Sequence, residues 1–423
     1  MTTPVIRADW LIRPQTRKLF ELLGPANLRA VGGCVRDSLS GHVRDNGKQA
    51  VDVDMATSLV PEAVVAHLTQ ADVKVVPTGV KYGTVTAILD GFHYEITTLR
   101  QDVETDGRHA RVVYGEDWVA DARRRDFTVN ALYCDAAGHV EDPLGCGLAD
   151  LAAGRVVFIG DAKTRIREDY LRVFRFFRFH ALIGAGAPDK TALAACRQAA
   201  QDGAGLKQLS GERLYQELMK MLAIRQPVAA LELMHGAGVL AHTMPVSGLQ
   251  NGLERLSRLV AYDSQVIAID PLVRLAGLLA HVPADIAMLA DHLRLSNREQ
   301  DRITALLTNP YHDTEITPDN QLQLAYRLGP QLCIELLLLQ QSAAGHTPDI
   351  AGLKTAVRDL KNLVIPVFPV TGKTLLQAGF EAGPEIGRIL AALENWWVET
   401  GFEADESALL ARLEEMTASN APN

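Results

Sequence analysis

Residues 28–37 read Leu-Arg-Ala-Val-Gly-Gly-Cys-Val-Arg-Asp. An apolar run that ends in two glycines predicts a β-strand followed by a tight turn, and the residues after the glycines are typical of a helix start. Glycine lets a backbone approach a phosphate closely, a helix N-terminus favours anions, and an arginine can add a charge-assisted hydrogen bond. Gly32, Gly33 and Arg36 therefore predict a phosphate-binding turn, with an ordinary turn as the alternative.

Two carboxylates follow in the stretch Ala-Val-Asp-Val-Asp-Met at 50–55. Asp52 and Asp54 are two apart on a predicted strand, so both side chains project from the same face. Two like charges among apolar neighbours are costly unless a cation lies between them, and Mg²⁺ prefers hard oxygen ligands. The pair therefore predicts a magnesium site. Glu95 is a candidate third carboxylate for that face, or else an ordinary exposed strand residue.

The strand patterns are confined to residues 1–150. Asp90-Gly91 separates two alternating segments, 84–89 and 92–99, and such a dipeptide strongly favours a hairpin. Pro61 is a favourable first residue for a short helix at 62–68. We predict an α+β architecture in which this region forms a small mixed sheet with helices.

Beyond Asp150 the apolar residues recur with a period near 3.6, which is typical of helices. Stretches that contain Gly and Pro at 203–211, 245–252 and 365–372 are the candidate joints. The predicted helices cover residues 165–182, 211–223, 271–280, 299–307, 331–340, 386–397 and 406–416.

Three arginines recur at every third position of the first of these helices. Arg172, Arg175 and Arg178 stay on one side for nearly two turns, beside an apolar stripe. This pattern predicts that the three guanidiniums point together beside an apolar anchor. The alternative is a surface helix in which Asp169 and Arg172 form an i,i+3 ion pair.

A basic stretch runs from Arg100 to Arg125 and leads into Asp-Phe-Thr-Val-Asn-Ala at 126–131. A run of charge is usually a solvated surface. Here it leads directly into an apolar segment, which predicts a helix start with Asp126 and Asn130 one turn apart.

The composition limits the classes of protein to which the chain can belong. Of 423 residues, 48% are hydrophobic, so a mostly disordered chain is excluded. No apolar run reaches the ~18 residues of a spanning helix, and the first residues lack the pattern of a signal peptide. We therefore expect a soluble, cytoplasmic protein with no membrane partner. A net charge of −9 does not exclude nucleic acid, because binding depends on local patches.

The five cysteines lie far apart without a Cys-x-x-Cys pair. This spacing indicates reduced thiols, with neither a disulfide framework nor a zinc site. No pattern in the sequence fixes the oligomeric state, which stays unknown at this stage.

Taken in order, the motifs resemble those of class II tRNA nucleotidyltransferases, the CCA-adding family. The resemblance runs through residue 225, and residues 371–387 resemble the tail of some members more weakly. It rests on Gly32-Gly33-Cys34-Val35-Arg36-Asp37, Asp52-x-Asp54, Glu95-Ile96-Thr97-Thr98-Leu99-Arg100, Arg124-Arg125-Asp126-Phe127-Thr128-x-Asn130-Ala131, Glu168-Asp169-x-x-Arg172 and Glu212-Arg213-x-x-x-Glu217-x-x-Lys220.

The resemblance implies a fold and a division of the chain. A polymerase-β-like nucleotidyltransferase head would cover residues 1–150. An all-α neck with the base-reading helix at 151–225, a body at 226–365 and a tRNA-binding tail at 366–423 would follow.

The resemblance also implies residue roles. Asp52 and Asp54 would hold the catalytic magnesium, with Glu95 as the third catalytic carboxylate. Arg100, Asp102 and Arg108 would belong to a flexible loop that helps to switch from CTP to ATP. Glu212, Arg213 and Glu217 would be structural supports. The nucleotide-binding residues would be Gly32, Gly33, Arg36, Arg125, Asp169, Arg172, Arg175 and Arg178.

Hydrogen-bond chemistry makes the base-reading role plausible. Cytosine and adenine both present an amino donor beside a ring-nitrogen acceptor, so Asp169 as acceptor and Arg172 as donor could pair with either. Uracil and guanine present the reverse order, and a mismatch leaves buried polar groups unpaired. The resemblance therefore implies template-independent addition or repair of the 3′-terminal CCA of tRNA from CTP and ATP, by magnesium-dependent attack of the tRNA 3′ hydroxyl on the α-phosphate with release of pyrophosphate.

Three alternatives stay open. A bacterial poly(A) polymerase shares the head motifs, but its typical Gly-Arg-Arg-Phe signature is missing from residues 77–86. Relatives that add only CC or only A form the second alternative. An idle RNA-binding scaffold is the third, and the three retained carboxylates argue against it. His312-Asp313 follows Asn309-Pro310 and is interpreted as a turn, not as a metal site.

Overall fold

The computed structural model describes residues 4–41, 53–79, 83–106, 109–279, 285–345 and 348–418. The chain forms two compact units, one of residues 1–247 with 288–295 and one of residues 248–287 with 296–423. Among the described residues, the first unit contains the β-sheets, and the second consists of helices and their connections. The predicted α+β class is therefore confirmed, whereas the division into head, neck, body and tail stays a prediction.

All described strands lie in the first unit. They are β1 (Leu28–Val31), β2 (Val53–Thr57), β3 (Lys74–Gly79), β4 (Thr84–Leu89), β5 (Phe92–Thr98), β6 (Arg100–Asp106), β7 (His109–Tyr114), β8 (Tyr133–Cys134) and β9 (Val140–Glu141). The helices of the same unit are α1 (Asp9–Ile12), α2 (Pro14–Leu23), α3 (Gly33–Ser40), α4 (Pro61–Gln70), α5 (Trp118–Arg124), α6 (Gly147–Ala152), α7 (Ala162–Glu168), α8 (Leu171–Ile183), α9 (Lys190–Asp202), α10 (Gly211–Leu222), α11 (Val228–Gly236) and α12 (Leu240–Thr243).

Seven strands form a mixed sheet in the order β3-β4-β5-β2-β1-β8-β9, and β6 pairs with β7 separately. The predicted hairpin is confirmed: Leu89 pairs with Phe92, and both turn residues have positive φ, 47° at Asp90 and 83° at Gly91, as a type I′ turn requires. Strand β2 pairs parallel with β5 and antiparallel with β1. The parallel pair brings two distant segments into register at the centre of the sheet.

The core of the sheet domain is a cluster of buried apolar side chains. Leu19 of α2, Leu28 of β1, Val35 of α3, Val64 of α4 and Tyr94 of β5 are fully buried in one cluster. Burial of such side chains contributes about 1.5–3 kcal/mol each. This packing fixes the strand ends and the α3 turn from which the site is built.

Helices account for the second unit. They are α13 (Leu249–Val260), α14 (Asp263–Val266), α15 (Pro271–Leu279), α17 (Asn297–Thr308), α18 (Gln321–Leu328), α19 (Pro330–Ala343), α20 (Ile350–Asn362), α21 (Gly372–Gln377), α22 (Pro384–Glu399) and α23 (Glu406–Ala418), and α16 (Ile286–Leu293) runs back into the first unit. Within the described ranges, no helix combines the length and the apolar character that crossing a bilayer requires. All five cysteines are free thiols.

Three local expectations were wrong. The single helix expected at 165–182 is two helices, broken at Asp169, whose backbone is extended (φ −155°, ψ 106°). The stretch after Arg125 is not a regular helix: Phe127 is extended, and only a 3₁₀ turn at Thr128–Asn130 follows. Residues 100–106 were expected to belong to a flexible loop, but they form strand β6, in which Arg100 pairs with Tyr114 and Asp106 with His109.

Candidate active site

The turn after β1 has the predicted strand–turn–helix geometry. Gly32 has φ 76° and ψ −123°, a conformation that favours glycine, and it caps α3. Gly33 is the first residue of that helix, and the Arg36 amide donates to the Gly32 carbonyl at 3.0 Å. The N-terminal end of α3 is therefore presented at a glycine turn, which is a favourable arrangement for anions.

Arg36 is fixed at the first turn of α3. Its side chain is buried, and Nε donates to Asp37 Oδ1 at 2.7 Å while Nη1 donates to Asn130 Oδ1 at 2.6 Å. The guanidinium lies 4.7 Å from the centre of the Phe179 ring on α8. Residues far apart in the sequence thus orient this cation.

The carboxylates are brought together by the parallel strand pair. Asp54 of β2 is the direct register partner of Glu95 on β5, so both side chains leave the same face of the sheet, and both are exposed. Asp54 lines the cleft defined below, and Glu95 does not. Among the residues that the structure describes, no three His, Cys, Asp or Glu side chains group as metal ligands, and Asp52 lies outside those residues.

Arg125 follows α5 and is held by a buried carboxylate. Its Nη2 donates to Asp121 Oδ2 at 3.0 Å, and the same oxygen accepts the Tyr133 hydroxyl at 2.7 Å. Burial acts to raise the pKa of Asp121, but Arg125, Arg124 and the Tyr133 hydroxyl outweigh it and hold that pKa below its ordinary value. Asp121 therefore stays ionised and positions both arginines.

Asp126 joins the sheet domain to α8. Its Oδ1 accepts from the Asn130 amide at 3.0 Å, and its Oδ2 accepts from Arg175 Nε at 2.7 Å. Burial acts to raise the pKa of Asp126, but Arg175 and the Asn130 hydrogen bond hold it below its ordinary value. The expected closeness of Asp126 and Asn130 is thus present without a helix. Together with Arg36, these residues form a continuous side-chain network from α3 to α8.

The three arginines of α8 have different partners. Arg172 Nη1 donates to Glu168 at 2.6 Å and to the Arg165 carbonyl at 2.7 Å, whereas Arg178 Nε donates to Glu217 of α10 at 2.6 Å. Burial lowers the pKa of Arg178; it acts in the same direction on Arg175, but Asp126 and Glu217 outweigh it and raise that pKa. Arg175 and Arg178 both remain cationic at neutral pH.

Asp169 occupies the break between α7 and α8. Its Oδ1 accepts the Leu171 amide at 3.1 Å, and its Oδ2 accepts from Arg213 Nη2 of α10 at 2.8 Å. The alternative i,i+3 ion pair with Arg172 is not formed, because Asp169 pairs with Arg213 and Arg172 pairs with Glu168. The break turns the carboxylate away from the helical register that its sequence position suggested.

A cleft of about 960 Å³ in the first unit collects most of the predicted site. Both glycines of the turn, Asp54 and every predicted arginine of the nucleotide site lie along it. Its lining residues are Ile6, Arg7, Ala8, Asp9, Trp10, Arg13, Gly32, Gly33, Cys34, Arg36, Asp37, Ser38, Asp54, Arg124, Arg125, Asp126, Asn130, Asp169, Leu171, Arg172, Arg175, Arg178, Phe179, Arg213 and Lys220.

Some expected residues do not join the cleft lining. Arg100 lies on β6 and is absent from that lining, whereas the side chain of Asp102 and the whole of Arg108 lie outside the part of the chain that the structure describes. Conversely, no sequence pattern predicted that the segment at 6–10, which precedes every motif, lines the cleft. The contact of Arg165 with the site was not predicted either. Its Nη2 donates to the Arg125 carbonyl at 2.6 Å, and no local pattern in the sequence indicates that hydrogen bond.

Three family models match the chain. The poly A polymerase head domain matches residues 28–157, the probable RNA and SrmB-binding site of polymerase A matches residues 187–247, and the putative tRNA nucleotidyltransferase domain 2 matches residues 272–413.

Similar proteins and solved structures agree with these models. The chain is 34% identical over 410 residues to the mitochondrial CCA tRNA nucleotidyltransferase 1 of Danio rerio, covering 92% of this chain and 87% of that protein. It is 30% identical over 369 residues to the CCA-adding enzyme of Latilactobacillus sakei, covering 86% and 88% respectively. The crystal structure of the Bacillus stearothermophilus CCA-adding enzyme in complex with CTP is similar at a TM-score of 0.76 with 26% identity, covering 96% of this chain and 98% of that chain. Matches of this extent show that the chain belongs to the CCA-adding tRNA nucleotidyltransferases and is an enzyme of that family.

Proposed function

We propose that this chain adds or repairs the 3′-terminal CCA of tRNA, without a template, from CTP and ATP. The observation that carries the proposal is that the α3 turn, Asp54, Asp169 and Arg172 all line the same cleft. Relatives named for CCA addition, and a similar enzyme solved with CTP, support the same assignment.

The α3 turn would bind the triphosphate. The glycines allow phosphate oxygens to approach the backbone, and Arg36 would add charge-assisted hydrogen bonds from a guanidinium that Asp37 and Asn130 already orient. Arg125, which Asp121 holds in place, would also contact the triphosphate. These cations would stabilise the negative charge that develops on the departing pyrophosphate.

Asp54 and Glu95 are exposed carboxylates whose chemistry fits a magnesium site. Asp52 and Asp54 would hold the metal, with Glu95 beside Asp54 in register, because carboxylate oxygens are the hard ligands that Mg²⁺ prefers. Bound magnesium would activate the tRNA 3′ hydroxyl and neutralise the phosphates. The hydroxyl would lose its proton to solvent as its oxygen forms a bond to the α-phosphorus, the bond from that phosphorus to the β-phosphate bridge oxygen would break, and pyrophosphate would leave.

Asp169 and Arg172 would read the base. Asp169 would accept from the amino group of cytosine or adenine, and Arg172 would donate to the adjacent ring nitrogen. Arg213 and Glu168 support the proposal, because they hold the two side chains separately and keep them from pairing with each other. The cytoplasmic location stays a prediction, since the relatives include proteins named as mitochondrial.

The proposed function is tested by sizing the product formed from purified protein, Mg²⁺, CTP, ATP and a tRNA transcript that lacks its terminal CCA. We expect growth by three nucleotides, and a stop after two when ATP is omitted. A long ladder with ATP alone would instead identify a poly(A) polymerase. No extension by a protein that still binds the transcript would favour an idle scaffold.

A further inference from the structure

Most cations of the cleft already have a partner within the protein. Arg13 lies 4.0 Å from the centre of the Phe92 ring. Seven others lie within ion-pair distance of a carboxylate: Arg36, Arg124, Arg125, Arg172, Arg175, Arg178 and Arg213. Arg7 and Lys220 also line the cleft, and neither forms an ion pair or side-chain hydrogen bond with any residue that the structure describes.

Lys220 ends the motif at 212–220, on which the family resemblance partly rests. Arg7 lies outside every motif and before residue 28, where the head-domain match begins. No role follows for Arg7 from the family, so its place in the cleft needs its own explanation.

The backbone on both sides of Arg7 is anchored. Ile6 donates its amide to the Gly138 carbonyl at 2.8 Å, and the Trp10 indole Nε1 donates to Ser38 Oγ of α3 at 2.9 Å. The side chains of Ile6 and Trp10 are buried, whereas Arg7 is exposed. A guanidinium on a fixed backbone loses less conformational freedom when it binds a ligand than one on a frayed terminus.

The sheet domain is shaped to receive this segment. Gly138 has φ 91°, and a Cβ at that position would lie 2.4 Å from the Ile6 carbonyl oxygen. Any other residue at 138 would therefore push the segment away or strain the turn. The hydrogen bond from Trp10 to Ser38 places the segment along α3, the helix whose first turn carries Gly33 and Arg36.

The charges around Arg7 favour an anionic ligand. Asp9 is on the same segment and lines the same cleft, yet no ion pair joins it to Arg7 among the described contacts. Three other carboxylates that line the cleft, Asp37, Asp126 and Asp169, are engaged by Arg36, Arg175 and Arg213, and Asp54 belongs to the candidate metal site. A guanidinium presents several donors in a fork that matches phosphate oxygens.

We propose that Arg7 is a further phosphate-binding residue of the enzyme, donating hydrogen bonds to phosphate oxygens that enter the cleft. The phosphate comes either from the incoming nucleoside triphosphate or from the 3′ end of the tRNA. This inference rests on the nucleotidyl transfer proposed above.

The test compares Arg7→Ala with Arg17→Ala, which removes the same charge from an exposed position of α2 that does not line the cleft. Two equilibria are measured on each full-length protein: ATP with Mg²⁺ in the absence of tRNA, and a tRNA transcript ending in CC in the absence of nucleotide. We expect Arg7→Ala to weaken one of the two by about tenfold, as for a lost charge-assisted hydrogen bond. The loss should shrink as salt is raised, and Arg7→Lys should restore part of it.

Each outcome decides the proposal. Weaker ATP binding alone assigns Arg7 to the triphosphate, and weaker transcript binding alone assigns it to the tRNA backbone. Binding of both that matches Arg17→Ala overturns the proposal. A wild-type protein that binds both probes but adds no nucleotide would overturn the proposed function while leaving the assignment of Arg7 to be judged by the binding data. A wild-type protein that binds neither would overturn both.

Discussion

Both units of the molecule contain arginines paired with carboxylates, but the surroundings of the pairs differ. In the first unit the pairs Arg36–Asp37, Arg175–Asp126 and Arg213–Asp169 line a solvent-accessible cleft. In the second unit Arg274 is completely buried against Asp263, with Nε 2.6 Å from the carboxylate. An arginine–carboxylate pair therefore indicates a ligand site only where a cavity adjoins it.

The two settings also have different energetic roles. The Arg274–Asp263 pair is a sealed pair, which means that both side chains are buried away from solvent. Such a pair has lost its hydration, so it contributes little net stability while intact but is costly to break. A pair beside a cleft keeps part of its hydration and orients a cation towards a ligand that arrives later. The predictions below compare these two settings, from the largest expected effect to the smallest.

Asp54→Asn in the cleft should lower the rate of CMP incorporation by at least ~10³-fold, because it removes a charged ligand from the candidate metal site. Asp54 is exposed, so the unfolding midpoint should change little. Single-turnover incorporation and thermal unfolding measure the two effects. Glu62→Gln, which removes an exposed charge from α4, is the control. Near-normal incorporation by Asp54→Asn would refute the assigned role.

Asp263→Ala in the sealed pair should lower the free energy of unfolding by about 3–5 kcal/mol, because it removes the carboxylate that balances the buried charge of Arg274. The dissociation constant for ATP should not change, since Asp263 does not line the cleft. Urea unfolding and ATP binding at low temperature test both statements. Asp359→Ala, which breaks an exposed pair with Arg358, should cost less than about 1 kcal/mol. Equal losses in the two variants would remove the distinction between sealed and open pairs.

Asp169→Ala should reduce the preference for CTP over UTP by about 10²-fold, while the rate with CTP falls less. The physical reason is the loss of the acceptor that the amino group of cytosine would meet. Arg213→Ala keeps that acceptor but removes its support, so its effect on the preference should be smaller. Competition between the two nucleotides in one reaction measures the ratio. An unchanged ratio in Asp169→Ala would contradict the base-reading role.

Asp126→Asn should destabilise the protein by about 1.5 kcal/mol at pH 7, the size of a hydrogen bond to a charged group. The folded protein holds the pKa of Asp126 below its ordinary value, through Arg175 and Asn130 and against the effect of burial. The stabilisation is therefore fully present above the unfolded carboxyl pKa, near 4, and is lost as the pH falls through the lower folded value. The stability difference between wild type and variant, from urea unfolding at several pH values, should shrink below about pH 4. A constant difference would mean that packing, and not ionisation, sets it.

Local patterns predicted the parts of the fold that depend on near neighbours. The strand before Gly32, the turn itself, the helix opened by Pro61 and the Asp90-Gly91 hairpin follow from glycine and proline conformation and from residue alternation. The register between Asp54 and Glu95 depends on a parallel pair, so the sequence predicted only that Glu95 could reach the same face.

The errors share a physical cause, which is competition from long-range contacts. Nothing in the period of residues 165–182 marks a break, because Arg213, which holds Asp169 out of the helix, is distant in the sequence. The arginine spacing predicted that the three guanidiniums lie together, and all three do line the cleft, but no local pattern indicated the carboxylates that hold them, Glu168, Asp126 and Glu217. Arg7 had no local pattern at all, and only its anchored backbone reveals it.

The segment at 288–295 gives the first unit an unusual relation to the order of the chain. The chain leaves that unit after Ser247 and returns to it for these residues before leaving again. On its return, His292 Nε2 lies 3.0 Å from the His242 carbonyl, and a Cβ on Gly211 would lie 2.2 Å from the His292 carbonyl oxygen. A fragment that stops at residue 247 would therefore lack residues 288–295, which pack against the first residue of α10. The two units are modules in space but not in sequence, so recombination or domain exchange at a single junction would not transfer a complete first unit.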